Sequence, residues 1–318
     1  MKILIFGAGA VGLGLAGCII KAGHHPDIIA REDTVIRLDQ DGLIRSGIFG
    51  ADRFSSFNAF SDIKYIKDRT PYDYILVCTK SNDSLSAARA ISRFPEIFSS
   101  KTCIVLCQNG WGNREIFLQH FPSPGIYNAR IITGFSRPEK YHVKITVHVQ
   151  PVHLGSLDHS DCKELESLCS AINQGGLTCE LTETIEKDLW AKMLFNCSLN
   201  PLGAIFDVPY GKLGESENCR KIMKEIIHEV FQVMEKAGYS THWESSNEYF
   251  SFLIHRLIPD AARHESSTLQ DIRAKKKTEI NALTGAVVKL GDEHRVHTPT
   301  NLMLYQMIRF MEEQYMAG

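Results

Sequence analysis

The chain has little that would tie it to an oxidising compartment, a membrane or a nucleic acid. Its nine cysteines are an odd number, scattered through apolar runs such as Leu76-Val-Cys78 and Cys103-Ile-Val-Leu-Cys107, with no Cys-x-x-Cys spacing among them. That argues against a disulfide framework and for reduced thiols packed as small hydrophobes in a cytoplasmic protein. The histidines lack ligand spacing: His24-His25 reads as a loop pair, and His294 and His297 as surface residues, so no metal is expected. No apolar run approaches the roughly 18 to 20 residues that span a bilayer. Neither sign of charge is in excess. With 35 basic and 37 acidic residues the formal net charge is -2, which argues against nucleic acid as a partner. Repeats, low-complexity tracts and Gly/Ser-rich linkers are missing too.

What is present is an ordinary globular composition, 44% hydrophobic and 23% charged, over 318 residues, enough for two domains with separate cores. The first half alternates short apolar runs with helical periods. Strands are expected at Lys2 to Phe6, Asp27 to Ala30, Tyr72 to Cys78 and Cys103 to Cys107. Helices are expected at Ala10 to Ala22, Thr34 to Gln40, Ser84 to Ser92 and Trp111 to His120. This βαβ order argues for a parallel sheet covered on both faces. Val143 to Leu154 then alternates like a strand pair, followed by a helix near Cys162 to Asn173 and a strand at Thr178 to Leu181. Beyond that only helical periods occur, at Ile185 to Phe206, Asn218 to Ala237, Glu244 to Leu257, Ser267 to Leu290 and Thr300 to Glu313. The change of period places a domain boundary between residues 1–181 and 182–318.

The turn Gly7-Ala8-Gly9-Ala10-Val11-Gly12 follows an expected strand and opens an expected helix. Gly7 permits the tight turn, Gly9 lets the backbone approach a pyrophosphate, and Gly12 allows close helix–strand packing, so a dinucleotide is the expected cofactor. Lys2 and Leu15-Ala-Gly-Cys18 imitate a lipoprotein signal, but five glycines in eleven residues fit a phosphate-binding turn better. At the end of the second strand stands Arg31, whose guanidinium suits the 2'-phosphate of NADP. Glu32, twenty residues past Gly12, keeps NAD open.

The most informative stretch is Leu189-Trp-Ala-Lys192-Met-Leu-Phe-Asn196-Cys-Ser-Leu-Asn200-Pro. A four-residue step on a helix rotates only about 40° and climbs about 6 Å, so Lys192, Asn196 and Asn200 form one inclined row. Hydrocarbon wraps most of the remaining circumference, and burying an ammonium and two carboxamides is costly unless each finds a partner. The row is therefore a polar network or a site, or else a solvated stripe with accidental spacing.

Taken in order, the glycine turn, Arg31, Thr79-Lys80, Gln108-Asn109-Gly110, the ribbon from Trp190 to Asn200, Ser266-Ser267-Thr-Leu-Gln-Asp271, Thr278-Glu279-Ile and Thr298-Pro299-Thr-Asn301 resemble the ketopantoate reductase (2-dehydropantoate 2-reductase) family over Met1 to about Phe310. The resemblance implies an α/β Rossmann-type dinucleotide-binding domain followed by an all-α C-terminal domain like that of 6-phosphogluconate dehydrogenase. It also implies reduction of 2-dehydropantoate to pantoate by NADPH, on the way to pantothenate and coenzyme A. Lys192 then matches the catalytic lysine and Glu279 the glutamate that interacts with it. Asn109, Asn196, Asn200 and Ser267 match substrate or ternary-complex residues. Arg31 and Lys80, with the Gly7 to Gly12 turn and Asn109, match cofactor contacts. Two segments depart from the family pattern: Ile131 to Lys140, where glycines and threonines are usual, and Trp111, where a small aliphatic residue is usual. Both put the identity of the 2-oxo acid in question more than the reaction type.

Read as residues alone, several of these positions have plainer explanations. Asn109-Gly110 forms turns, although it also ends a strand at the carboxyl edge where doubly wound folds bind ligands. Asn200 before Pro201 could bond at a helix kink. Ser267-Thr-Leu-Gln270 fits a capping box. Glu279 could be a solvated helix residue beside Lys275-Lys276-Lys277. The chemistry expected of Lys192 is stabilisation and protonation of the oxygen that becomes negative when hydride reaches a ketone carbon, with burial disfavouring and Glu279 favouring its charged form. The rival readings are a reductase of another small 2-oxo acid and a non-catalytic regulator sensing NADP(H). The long apolar helices of the second half could pair in a homodimer or pack within one chain.

Overall fold

A computed structural model of the chain describes residues 1–66, 71–121, 125–158 and 161–316. The chain divides into two compact units, one of residues 1–108 and 113–185, the other of residues 109–112 and 186–318.

In the first unit the strands are β1 (Ile3–Phe6), β2 (Asp27–Ile29), β3 (Leu43–Gly47), β4 (Asp52–Phe54), β5 (Asn58–Phe60), β6 (Tyr74–Val77), β7 (Cys103–Leu106), β8 (Gly125–Arg130), β9 (Gly134–Glu139), β10 (His142–Val147), β11 (Val152–Gly155) and β12 (Cys179–Leu181). Its helices are α1 (Ala10–Lys21), α2 (Glu32–Asp41), α3 (Ser84–Ser92), α4 (Asn113–Leu118) and α5 (Glu166–Gln174). Eight strands form one sheet in the order β12-β11-β8-β7-β6-β1-β2-β5. From β5 to β8 every neighbour is parallel; β11 runs antiparallel to β8. Counting from β1, those six parallel strands have the doubly wound order 3-2-1-4-5-6, the Rossmann arrangement. Alternate residues serve opposite faces: Ile3, Ile5, Leu76 and Val105 join one core, and Leu4, Ile75, Val77 and Ile104 the other. Both faces are buried, which is why the strands read as unbroken apolar runs.

A second, four-stranded sheet, β4-β3-β10-β9, packs against α1. It corrects two expectations. Val143 to Leu154 is not a strand pair: β10 belongs to the small sheet, and after Pro151 the chain enters the large one as β11, beside β8 and β12. Proline has no N–H for a ladder, which suits the break. Nor do all five early glycines serve the turn. A Cβ on Gly14 would lie 2.4 Å from the Phe135 ring, and one on Gly17 2.9 Å from the Arg45 side chain, so these two admit the second sheet against a helix buried nearly all round.

The second unit is helical: α6 (Ile185–Phe206, its first residue in the other unit), α7 (Tyr210–Glu215), α8 (Glu217–Lys236), α9 (Ser246–Phe252), α10 (Ile258–Asp260), α11 (Ser267–Arg273), α12 (Thr284–His294) and α13 (Pro299–Met316). The single helix expected over Ser267 to Leu290 is broken between α11 and α12. Lys275 takes a left-handed conformation, φ 52°, and Lys276 N–H returns to the Asp271 carbonyl at 2.8 Å. Buried Glu312 on α13 then holds the segment off the helical path, its Oε1 accepting from both Thr278 N–H and Thr278 Oγ1 at 2.7 Å. Glu279 and the lysine cluster therefore lie on an irregular connector rather than a helix. Among the described residues no helix is long and apolar enough to cross a membrane.

Candidate active site

In the Rossmann unit the glycine turn sits where strand order reverses, between β1 and β6. Gly7 has φ +113°, and a Cβ there would lie 2.8 Å from the Thr79 backbone nitrogen; a Cβ on Gly12 would lie 2.0 Å from the Gly7 carbonyl oxygen. A Cβ on Gly9, by contrast, would meet the Cys78 carbonyl oxygen at an ordinary contact distance of 3.8 Å. Gly9 also stands at the N-cap of α1 with no side chain to close the helix. The first amides of α1 have no intrahelical acceptors, so the turn presents donors and a positive dipole end to an anion.

Around this turn Gln108, at the end of β7, ties the neighbouring strand ends together. Its Nε2 donates to Thr79 Oγ1 (3.2 Å), the Lys80 carbonyl (3.2 Å) and Ser84 Oγ (2.9 Å), and Ser84 donates in turn to Asn113 (2.7 Å). Sequence reasoning gave Gln108 no role of its own; its place beside Asn109 after a buried strand was the available signal. Lys80 is exposed just past β6. Arg31, also exposed, is the N-cap of α2. Glu32 and Asp33 are not strand-end carboxylates but occupy the first turn of α2, where negative charge suits the dipole. Asp33 is bonded by the Lys140 ammonium, which holds its carboxyl below the ordinary range. Arg137, on β9, donates to Thr34 Oγ1 at 3.0 Å. Burial, with the charge of nearby Arg31, lowers its affinity for a proton, while Asp33 acts in the opposite sense.

In the helical unit three segments converge. Lys192 Nζ donates to Asn109 Oδ1 at 2.6 Å, and Asn109 Nδ2 donates to Glu279 Oε2 at 3.0 Å. An ammonium can only donate and a carboxylate only accept, so the orientation of the Asn109 amide is fixed by its partners. Lys192 is half-buried on α6, and Glu279 is buried on the connector. The helix expected from Trp111 begins at Asn113, because Gly110 and Gly112 both have positive φ. That leaves Trp111 in the loop, where its ring lies 4.8 Å from those of both Trp190 and Tyr239. Such aromatic pairs are each worth about 0.5–1.5 kcal/mol beyond the area they bury.

The rest of the polar row divides. Asn196 is half-buried one turn beyond Lys192. Asn200 is buried; its Oδ1 accepts from Tyr210 Oη at 2.7 Å and its carbonyl from Ser266 Oγ at 3.2 Å, which are structural bonds. The cap of α11 is Ser266, whose Oγ accepts from Leu269 N–H at 3.0 Å, so the capping box expected at Ser267 is not formed. Ser267 is the exposed first residue of that helix. Of two adjacent serines the inner one is fully buried, a choice set by tertiary packing rather than by local pattern.

The family model described as ketopantoate reductase PanE/ApbA matches residues 3–159, and its C-terminal companion matches residues 184–312. The 2-dehydropantoate 2-reductase of Aquifex aeolicus is 33% identical over 313 residues, covering 98% of this chain and 97% of that one. Its counterpart from Archaeoglobus fulgidus is 26% identical, with 98% of each chain covered. Among solved structures, a PanE/ApbA family ketopantoate reductase from Ralstonia eutropha superposes with a TM-score of 0.87 at 27% identity, covering 99% of each chain. A D-mandelate dehydrogenase solved with NADH and anilino(oxo)acetate has the same TM-score at 22% identity, again over 99% of each chain, and shares the fold. The class is thus an oxidoreductase with a Rossmann-type unit followed by a helical one. Within that class, the chain belongs to the ketopantoate reductase family.

Proposed function

We propose that this protein reduces 2-dehydropantoate to pantoate with NADPH, Lys192 acting as general acid. The observation that carries the reading is the Lys192–Asn109–Glu279 chain. The ammonium donates to a carboxamide that itself donates to a carboxylate, so the three side chains form one charge-assisted hydrogen-bonded chain. As hydride reaches the ketone carbon, the carbonyl oxygen becomes negative; the ammonium stabilises that charge and then gives the oxygen its proton, leaving a neutral amine to be reprotonated from water. Glu279 favours the charged form of the lysine at the start of each cycle. Asn196, uncharged and one turn away, is suited to orient a substrate hydroxyl or carboxylate, and Ser267 offers a hydroxyl and a helix-start amide for the same purpose. Asn200 is the weakest of these candidates, because its side-chain oxygen is already occupied.

A nicotinamide dinucleotide, when bound, supplies the hydride. The Rossmann unit fits one: Gly7 and Gly12 have no room for a Cβ, Gly9 at the N-cap of α1 leaves the backbone there uncovered by a side chain, and Ala8, Ala10 and Val11 complete the turn. Lys80 and Asn109 are further candidates to hold it. For the 2'-position, Arg31 supports NADP over NAD, and Glu32, the competing acid, stands in the first turn of α2.

The test is the fall in NADPH absorbance on mixing with a panel of 2-oxo acids. Rapid oxidation with 2-dehydropantoate, and slower oxidation of NADH, is the expected result. Preference for another acid would move the function to a sister substrate, a reading favoured by the large Trp111 ring beside Asn109. Tight NADPH binding with no turnover would leave a sensor of the cofactor.

A further inference from the structure

The geometry points to Trp111 as a positioning residue that holds Asn109 between Lys192 and Glu279. The inference rests on the reading of Lys192 as proton donor. Two contacts of Trp111 lie two and three residues from the two contacts of Asn109. On one side its ring packs against Trp190, two residues before Lys192 on the same helix, with centroids 4.8 Å apart. On the other, its backbone N–H donates to the Ala282 carbonyl at 2.8 Å, three residues beyond Glu279. Between them Gly110, at φ +87°, lets the loop pass so close that a Cβ would sit 2.3 Å from the same Ala282 oxygen.

Tyr239, which follows α8, completes the cluster, edge-on to Trp111 at 4.8 Å and tilted against Trp190 at 5.6 Å. Trp111 is only 8% exposed and Trp190 is fully buried, so the cluster is a rigid anchor within the helical unit. The same anchor explains why residues 109–112 belong to that unit although the chain on both sides belongs to the other. A small aliphatic residue at position 111 would keep the backbone bond to Ala282 and lose the tie to the lysine-bearing helix. Asn109 would then be fixed relative to Glu279 but not to Lys192.

The test compares Trp111→Leu with Trp111→Phe. Because a misplacement of about 1 Å can cost about 100-fold in rate, the leucine variant is expected to lose about 10- to 100-fold in kcat. It should keep the NADPH KM and move the limb of the kcat–pH profile that reports the proton donor. The phenylalanine variant, which keeps a ring, should recover most of both. A kcat near wild type, or a loss with an unmoved profile that phenylalanine does not mend, overturns the inference. If the leucine variant does not fold, Tyr239→Leu opens the cluster from its far side and is read in the same way. Should the wild-type protein turn over no 2-oxo acid, the reading of function fails, and the anchor is judged separately by the rate of reductive methylation of Lys192. Faster labelling in Trp111→Leu upholds it, and an unchanged rate overturns it.

Discussion

The glycine turn and the lysine network are built on opposite principles. The turn is made of six consecutive residues, and its shape is set by backbone contacts that leave no space for a side chain at Gly7 and Gly12. The network is made of side chains from positions 109, 192 and 279, each delivered by a different segment and each steadied by a buried neighbour: Trp111 for the loop, Trp190 on the helix and Glu312 behind Thr278. A local device is vulnerable at its own residues. A convergent one is vulnerable wherever its supports are, because small displacements of a proton donor are costly in rate.

The largest effect should come from Lys192→Ala. Loss of a general acid is expected to lower kcat about 1,000-fold, while NADPH binding, followed by its fluorescence, stays close to wild type. Turnover within a few-fold of wild type would remove the lysine from the chemistry and with it the contrast between the two sites. The counterpart in the other unit is Gly12→Ala. The added methyl would lie 2.0 Å from the Gly7 carbonyl, so the turn or the start of α1 has to move. Overpacking of this kind costs about 1–3 kcal/mol. The variant should melt earlier and bind NADPH at least about tenfold more weakly, 1.4 kcal/mol being one decade, with the pH profile of kcat at saturating cofactor unchanged.

These principles also decide what could be read from the sequence. The turn, α1, the parallel strands β1, β2, β6 and β7 and the twenty-two residues of α6 follow from local spacing, and the expected Ile185 to Phe206 matches the observed helix, whereas the parallel strands β5 and β8 were not expected. The row of Lys192, Asn196 and Asn200 was visible for the same reason, since one helix face carries all three. The second sheet was not: β4 and β9 are half-exposed and polar, and β3 buries Arg45 against the Gly175 carbonyl, so none has an apolar period. The break before Glu279 was hidden because it depends on Glu312, thirty-four residues from Thr278. The pairing of Asn109 with both charged groups was equally invisible, as no pattern within a window relates those three positions.

Glu312→Ala sharpens the comparison at an intermediate level. It leaves Thr278 N–H and Oγ1 without their acceptor in a buried place and strands the Arg309 guanidinium, now 2.9 Å from the second carboxylate oxygen. Each buried donor left unmade costs about 1–3 kcal/mol. The variant should melt several degrees lower and, unlike a merely destabilised protein, lose kcat at temperatures where it is fully folded, because Glu279 adjoins the released residue. Retained kcat in the folded variant would show that the connector is held by other means.

The smallest effect tests the converse, that a side-chain contact of the dinucleotide unit outside the glycine turn touches stability alone. His148, just past β10, bridges Thr133 Oγ1 (2.8 Å, at Nδ1) and Thr178, whose backbone N–H donates to Nε2 at 3.0 Å. An N–H cannot accept, so Nε2 must be bare, and protonating it ends the bond. Burial lowers the His148 pKa from 6.5. On acidification the unfolded chain therefore takes up the proton first. The stabilisation is complete above the unfolded value and is lost as pH falls through it towards the folded one. His24 and His264, also lowered, act in the same sense, so His148→Gln should make the fall of melting temperature between pH 7 and 5 shallower without abolishing it. Glutamine can still bridge both threonines but cannot titrate, and kcat should not change at any pH. A shift in the kinetic profile would mean that the dinucleotide unit, too, transmits distant contacts to the chemistry.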